Sequence, residues 1–318
     1  MKEMGLAVLM LLAGFVLLIK GADFFVEGSS SVAKRLRIPS IIIGMTIVAM
    51  GTSLPECAVS VTASMSGNNA LAVSNAVGSN IFNLMVVCGA CALFAPLAVD
   101  VGTLKKEFPF SVVCAGLLLG LGYFGMSLGH LDGIVMLILF AAYLAYMVIT
   151  AVKARRADAQ EDKEADAYKI LPVWKCIIFI LGGALGIKFG GDFVVDGATV
   201  IATGFGLSQN LIGLTIVALG TSLPELVTSI VAAKKNEVDM AVGNVIGSNI
   251  FNILLVLGVA GAISPISFIM ENIIDIILLM GMSVVVWFMA WTNKKIVKSE
   301  GVVMLLMYAA YMVYICIR

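Results

Sequence analysis

Ten apolar runs of about twenty residues or more follow one another along this chain, near 4–19, 38–65, 70–98, 108–127, 131–152, 172–190, 208–233, 239–264, 270–291 and 301–317. A helix of ~20 apolar residues crosses the ~30 Å hydrocarbon core of a bilayer, so each run is long enough to span. Lipid offers no partner to an unpaired backbone amide or carbonyl, which leaves helices or a closed barrel as spanning structures. The runs lack the period-two alternation of barrel strands and therefore predict helices. Composition agrees: 61% of the 318 residues are hydrophobic and 13% charged, against roughly 45–50% apolar in a soluble domain. The expectation is an all-α membrane protein with ten transmembrane helices.

Lys and Arg number 20, as do Asp and Glu, so there is no net basic footprint for nucleic acid. The position of the charges is more informative, because cytoplasmic connections collect Lys and Arg. One alternate set of connections holds Lys20, Lys34, Arg35 and Arg37, then Lys105 and Lys106, then Lys153, Arg155, Arg156, Lys163, Lys169 and Lys175, then Lys234 and Lys235, then Lys294, Lys295 and Lys298. The opposite set holds none, which predicts both termini outside a cell membrane. The first run follows only Lys2 and shows no small-residue cleavage pattern before Lys20, so it reads as a retained span. The stretch 153–169, KARRADAQEDKEADAYK, reads as a solvated connector. Cys88 and Cys91 form a C-x-x-C within the third run; with no second pair, and with His130 lying elsewhere, they read as packing residues.

The chain also resembles itself. Residues 41–56, IIIGMTIVAMGTSLPE, match 210–225, NLIGLTIVALGTSLPE, at 12 of 16 positions, and AVSNAVGSNIFN (72–83) matches AVGNVIGSNIFN (241–252) at 9 of 12, both at an offset of 169. Such a register implies duplication. Five spans separate equivalent points, and an odd number inserts the second copy upside down. Charge supports this independently. The first GTSLPE span follows the basic Lys34–Arg37 connection, whereas the second follows the uncharged Gly204–Gly206 connection and precedes Lys234 and Lys235. The expected organisation is a first five-helix repeat (1–152), a cytoplasmic linker (153–171) and a second, inverted repeat (172–318). Inverted repeats with broken helices suit alternating access.

Glu56 and Glu225 lie inside apolar spans, where an ionised carboxylate costs ~2.5–3.5 kcal/mol on insertion scales. No Lys or Arg occurs in these spans before their ends, so a bound cation is the simplest compensating charge; a neutral glutamic acid bonded to another helix is the alternative. Thr52 and Ser53 precede Glu56 by four and three residues, and Thr221 and Ser222 precede Glu225 likewise, which places their oxygens on the same helix face. Pro55 beside Gly51, and Pro224 beside Gly220, should bend or open each helix and release backbone oxygens. Asn75, Ser79 and Asn83 form a stripe at every fourth residue, repeated as Asn244, Ser248 and Asn252. For Asn75, Asn244, Gly78 and Gly247, helix-packing glue and function are equally good readings. Oxygen donors with two carboxylates, and no sulfur or imidazole, suit Ca²⁺ or Na⁺.

On GTSLPE and GNxxGSNIxN, the chain resembles the calcium/sodium antiporters, or cation/calcium exchangers, with their paired α-repeats. The resemblance covers essentially the whole length and implies a secondary antiporter, not an enzyme, exchanging Ca²⁺ for Na⁺ without a cofactor. It implies a central cluster of four cation sites with ligands on Thr52, Ser53, Glu56, Ser79 and Asn83, on Thr221, Ser222, Glu225, Ser248 and Asn252, and on the backbone carbonyls of Ala49 and Ala218. It further implies that the first and sixth spans slide across the rest, carrying GADFFVEG (21–28) and GGDFVVDG (190–197). Ser74 replaces the first glycine of the second motif. Some family members carry an acid where this chain has Asn252, which leaves Ca²⁺/H⁺ exchange open as an alternative. A channel using the same glutamates would not need an inverted duplication. The expected functional unit is a monomer.

Overall fold

The computed structural model describes residues 2–66, 69–158, 170–206, 216 and 218–317. Most of the linker (159–169) and most of the approach to the second GTSLPE (207–215 and 217) lie outside the described residues. The described chain is helical almost throughout, with four two-residue strands.

The first span is longer than its apolar run. α1 (Lys2–Leu36) has 35 residues, or ~52 Å at 1.5 Å per residue. It ends where Arg37 takes a left-handed backbone with φ 55° and Pro39 follows. Lys20, expected in a connection, therefore sits exposed in mid-helix, and it leaves the tally of loop charges. Asp23 and Glu27 are mid-helix as well. Lys163 and Lys169 lie outside the described residues.

A broken helix follows. α2 (Ser40–Ile43) passes through a π turn at Gly44–Val48 into α3 (Ala49–Thr52), and α4 (Leu54–Met65) then leaves at 49°. Ser53 marks the break, with φ −86° and ψ 9°, and Pro55 enters the first turn of α4, where its missing N–H costs nothing. α5 (Asn69–Phe82) runs through a second π turn, Asn83–Val87, into α6 (Cys88–Phe94). α7 (Val101–Lys105), α8 (Glu107–Tyr123) and α9 (His130–Asp158) complete this half. The second half contains α10 (Val173–Gly204), α11 (Ala218–Gly220), α12 (Leu223–Lys234) and α13 (Val238–Phe251). A π turn at Asn252–Leu257 leads on to α14 (Gly258–Ile263), then α15 (Met270–Asn293) and α16 (Lys298–Ile317).

Among the described residues, seven helices are long and apolar enough to cross a bilayer, or eight if the bent pair α2–α4 counts as one span. Two of the ten expected spans account for the difference. α8 has only 17 residues, ~25 Å, because the chain turns at Gly125 and Met126 with positive φ. The span expected at 208–233 is described mainly from α11 and α12.

Contacts between the halves come in reciprocal pairs at the offset of 169. β1 (Leu97–Ala98) pairs antiparallel with β4 (Lys295–Ile296), and β2 (Ser127–Leu128) with β3 (Ile266–Ser267). α1 packs along α10 through glycines. A Cβ on Gly14 would lie 2.9 Å from the carbonyl oxygen of Gly190, and one on Gly183 would lie 2.7 Å from that of Gly21. Only glycine lets the two backbones touch in this way. α5 and α13 lie innermost, and α13 is buried from Met240 to Phe251. Large apolar side chains such as Leu9, Ile138, Leu181, Phe288 and Leu306 cover the outside.

Candidate cation site

The break at Ser53 and its counterpart at Ser222 bring the two acidic motifs to the middle of the molecule. Glu56 and Glu225 are both 0% exposed, each in the first turn of the helix after its break. An anionic side chain is favoured there by the unpaired amides of the helix start. The hydrogen bonds cross between halves. Ser53 Oγ donates to Glu225 Oε1 at 2.8 Å, and Ser222 Oγ to Glu56 Oε1 at 3.1 Å. Each glutamate is thus held by the serine one turn before the other glutamate. Ser79 Oγ lies 3.5 Å from Glu56 Oε1 and 3.0 Å from Ser222 Oγ.

Most of the remaining expected residues are buried as well. Thr52, Ser79, Asn83, Ser248 and Asn252 are buried, and Thr221 is half-buried. Thr52 Oγ1 donates to Asn244 Oδ1 at 3.2 Å. Ala49 is buried, and its carbonyl accepts from Ser53 N at 3.0 Å, with Thr52 Oγ1 at 3.4 Å. Ala218 begins α11, next to residues outside the described set. Asn83 and Asn252 each open a π turn, a rare widening of the helix that occurs often at functional sites.

Burying a polar atom without a partner costs ~1–3 kcal/mol, so such atoms are informative when they cluster. Six of the ten found among the described residues belong to the expected site: Glu56 Oε2, Glu225 Oε2, both amide atoms of Asn83, Ser248 Oγ and Asn252 Oδ1. Five of these are oxygens that can accept from, or coordinate, a cation. No group of three or more His, Cys, Asp or Glu that could hold a metal ion occurs among the described residues. The centre therefore offers two carboxylates and otherwise neutral oxygens, a hard-donor set suited to Na⁺ or Ca²⁺.

Asn75 and Asn244 turn out to brace the motifs. Asn75 Nδ2 donates to Ser60 Oγ (3.0 Å) and to the Glu56 carbonyl (3.3 Å), and Asn244 Nδ2 to Ser229 Oγ (2.9 Å). Ser60 and Ser229 carry no sequence signal of their own, and neither do Asn80 and Asn249. All four are identical residues at the 169 offset, so the repeat itself was the signal. Ser74 and Gly243 differ for a visible reason. A Cβ on Gly243 would lie 2.5 Å from the Ile41 carbonyl oxygen, whereas Ser74 is exposed and its Oγ accepts from Asn272 Nδ2 at 3.1 Å.

Asp23 and Glu27, in the middle of α1, pair with Lys235 Nζ at 2.7 and 3.5 Å. Beside them Glu237 accepts from Lys34 Nζ (3.0 Å), Ser40 Oγ (2.9 Å) and Ser30 Oγ. Burial pushes the Glu237 carboxyl up, but the Ser30 hydroxyl, the Lys34 ammonium and the Ser40 hydroxyl outweigh it and hold it below the usual carboxylate range.

Two buried carboxylates and several unpartnered oxygens inside a duplicated, apolar helical protein make a donor set that suits a small hard cation. The chain belongs to the sodium/calcium exchanger protein family, whose model matches residues 6–149 and 175–317. A putative antiporter CaxA from Alkalimonas amylolytica is 45% identical over 261 residues, covering 81% of each chain. The sodium/calcium exchanger MaX1 of Methanosarcina acetivorans is 30% identical over 96% of this chain and 97% of its own. Among solved structures, the sodium-calcium exchanger NCX_Mj soaked with Na⁺ and Sr²⁺ superposes with a TM-score of 0.84 at 33% identity, over 97% of this chain and 98% of that one.

Proposed function

We propose that this protein is a secondary antiporter that exchanges Ca²⁺ for Na⁺ across a membrane by alternating access at the Glu56–Glu225 centre. The observation that carries the reading is the crossed pair: two buried glutamates, each held by the other's serine, each with one oxygen that no protein group satisfies. Ca²⁺ coordinates between Glu56 Oε2 and Glu225 Oε2. The hydroxyls of Thr52, Ser53, Ser79, Thr221, Ser222 and Ser248, the amide oxygens of Asn83 and Asn252, and the carbonyls of Ala49 and Ala218 complete overlapping Ca²⁺ and Na⁺ sites. The two ions compete for one dehydrated cage. An empty cage leaves two carboxylates in low dielectric, repelling each other and poorly solvated, which raises the barrier to switching without a cation. Transport is then obligatory exchange.

The halves 1–152 and 172–318 form two inverted five-helix repeats, joined by a cytoplasmic linker at 153–171 and with both termini outside the cell membrane. The reciprocal pairings of β1 with β4 and β2 with β3 support this arrangement, as do the mirrored glycine contacts of α1 and α10. The functional unit is a monomer. Names of the relatives favour Na⁺ over H⁺ as the driving ion. The test is Ca²⁺ uptake by proteoliposomes under separately imposed gradients. Uptake driven by Na⁺ at constant pH is expected; uptake driven by a pH step without Na⁺, and none by Na⁺, would refute it.

A further inference from the structure

Beside the cage lies an amide pair to which the exchange reading gives no task. Asn80 Nδ2 donates to the carbonyl of Asn249 at 3.1 Å, and Asn249 Nδ2 donates to the carbonyl of Asn80 at 3.3 Å. Both side chains are buried. A backbone carbonyl only accepts, so each NH₂ must face its carbonyl, and each Oδ1 must face the other way. Asn80 Oδ1 then meets Asn252 Nδ2 at 3.1 Å. That bond settles the orientation of Asn252 in turn. Its NH₂ is taken by Asn80, and its Oδ1 is left without a protein partner.

The same relay exists in the other half but is open. Asn249 Oδ1 and Asn83 Nδ2, the counterparts of Asn80 Oδ1 and Asn252 Nδ2 at the 169 offset, are both buried and have no partner. One bond is therefore made where the duplication allows two. The amide whose orientation is fixed is the one at 252, and an unfixed amide can turn either its oxygen or its NH₂ toward an ion.

We propose that Asn80 is a positioning residue for the cation site: through its Oδ1 it holds the amide of Asn252 so that only the carbonyl oxygen of that side chain faces the ion. The inference rests on Asn252 contributing to the cage. Asn80 itself does not touch the ion. A purely structural role would run through Nδ2 and the Asn249 backbone, whereas the positioning role runs through Oδ1, and substitutions can separate the two atoms. Asn80→Asp keeps an oxygen for Asn252 Nδ2 and loses the donor to Asn249.

The experiment is equilibrium ⁴⁵Ca²⁺ binding to the purified full chain, with Asn80→Ala, Asn80→Asp, Asn252→Ala and the Asn80→Ala/Asn252→Ala double variant. Asn80→Ala should weaken binding on the order of tenfold, the scale of one lost hydrogen bond at a charged site. Asn80→Asp should bind at least as tightly as wild type, and Asn80→Ala should add nothing once Asn252 is alanine. Equal losses for Ala and Asp, or an undiminished loss in the Asn252→Ala background, would overturn the proposal. If Asn80→Ala cannot be isolated folded, Asn80→Asp decides alone, since a loss of about tenfold there contradicts the role assigned to Oδ1. Unchanged binding in Asn252→Ala would instead remove Asn252 from the cage, a failure of the site and not of the relay.

Discussion

Replacing Glu225 by glutamine keeps the shape of the side chain and removes its charge, which isolates what the charge contributes. In the structure Oε1 accepts from Ser53 at 2.8 Å, and Oε2 has no partner. In Glu225→Gln, either the amide oxygen keeps the Ser53 bond and the NH₂ points its hydrogens at the ion, or the amide flips and Ser53 must turn to accept. Both arrangements cost binding. Removing one partner of a buried charge pair costs ~3–5 kcal/mol, which at ~1.4 kcal/mol per decade weakens Ca²⁺ binding roughly 100- to 4000-fold. The Coulomb part scales with the charge of the ion, so the Na⁺ penalty is about half in free energy, roughly 10- to 60-fold. The assay is equilibrium binding of ⁴⁵Ca²⁺ and ²²Na⁺ to the purified protein, followed by Na⁺-driven Ca²⁺ uptake, which should be abolished. Equal losses for the two ions would indicate collapse of the site. A Ca²⁺ loss below about threefold would refute the placement of Glu225 in it. Glu56→Gln should be at least as severe, because Ser222 and Ser79 both face Oε1 and leave less room for a flip.

Gly243→Ala should lower the melting temperature in detergent. Its Cβ would meet the Ile41 carbonyl oxygen at 2.5 Å, and overpacking of this kind costs ~1–3 kcal/mol. Gly281→Ala, with nothing within 4 Å, should be neutral or stabilise by up to ~1 kcal/mol; the same loss from both would show that close approach is not the cause. Glu237→Gln should destabilise at neutral pH and cease to differ from wild type in acid. The Glu237 carboxyl is held low in the folded protein, so its contribution is present above the unfolded carboxylate value of ~4.3 and is lost as pH falls through the lower folded value. Melting temperatures of the two proteins measured from pH 7 downward check this, and a constant difference across that range would contradict it.

Much of this protein can be read from its order of residues because lipid permits so few answers. Long apolar runs had to become helices, and the acids at 56 and 225 stood out because a charge in such a run is expensive. The offset of 169 ties the motifs together and marks even Ser60, Ser229, Asn80 and Asn249, which residue type alone does not single out. The lengths of the helices were not legible in the same way. Apolarity reports where a helix meets lipid, not where it ends, so α1 ran on through Lys20, Asp23 and Glu27 to Leu36. Nor could the sequence say that Asn75 and Asn244 brace the motifs, or why position 243 is glycine while its counterpart is Ser74. Those answers depend on which side chain from the other half arrives. The crossing of Ser53 to Glu225 and Ser222 to Glu56 belongs to the same class. A repeated motif fixes what each half carries, but only the packing of one half against the other decides which oxygens face one another.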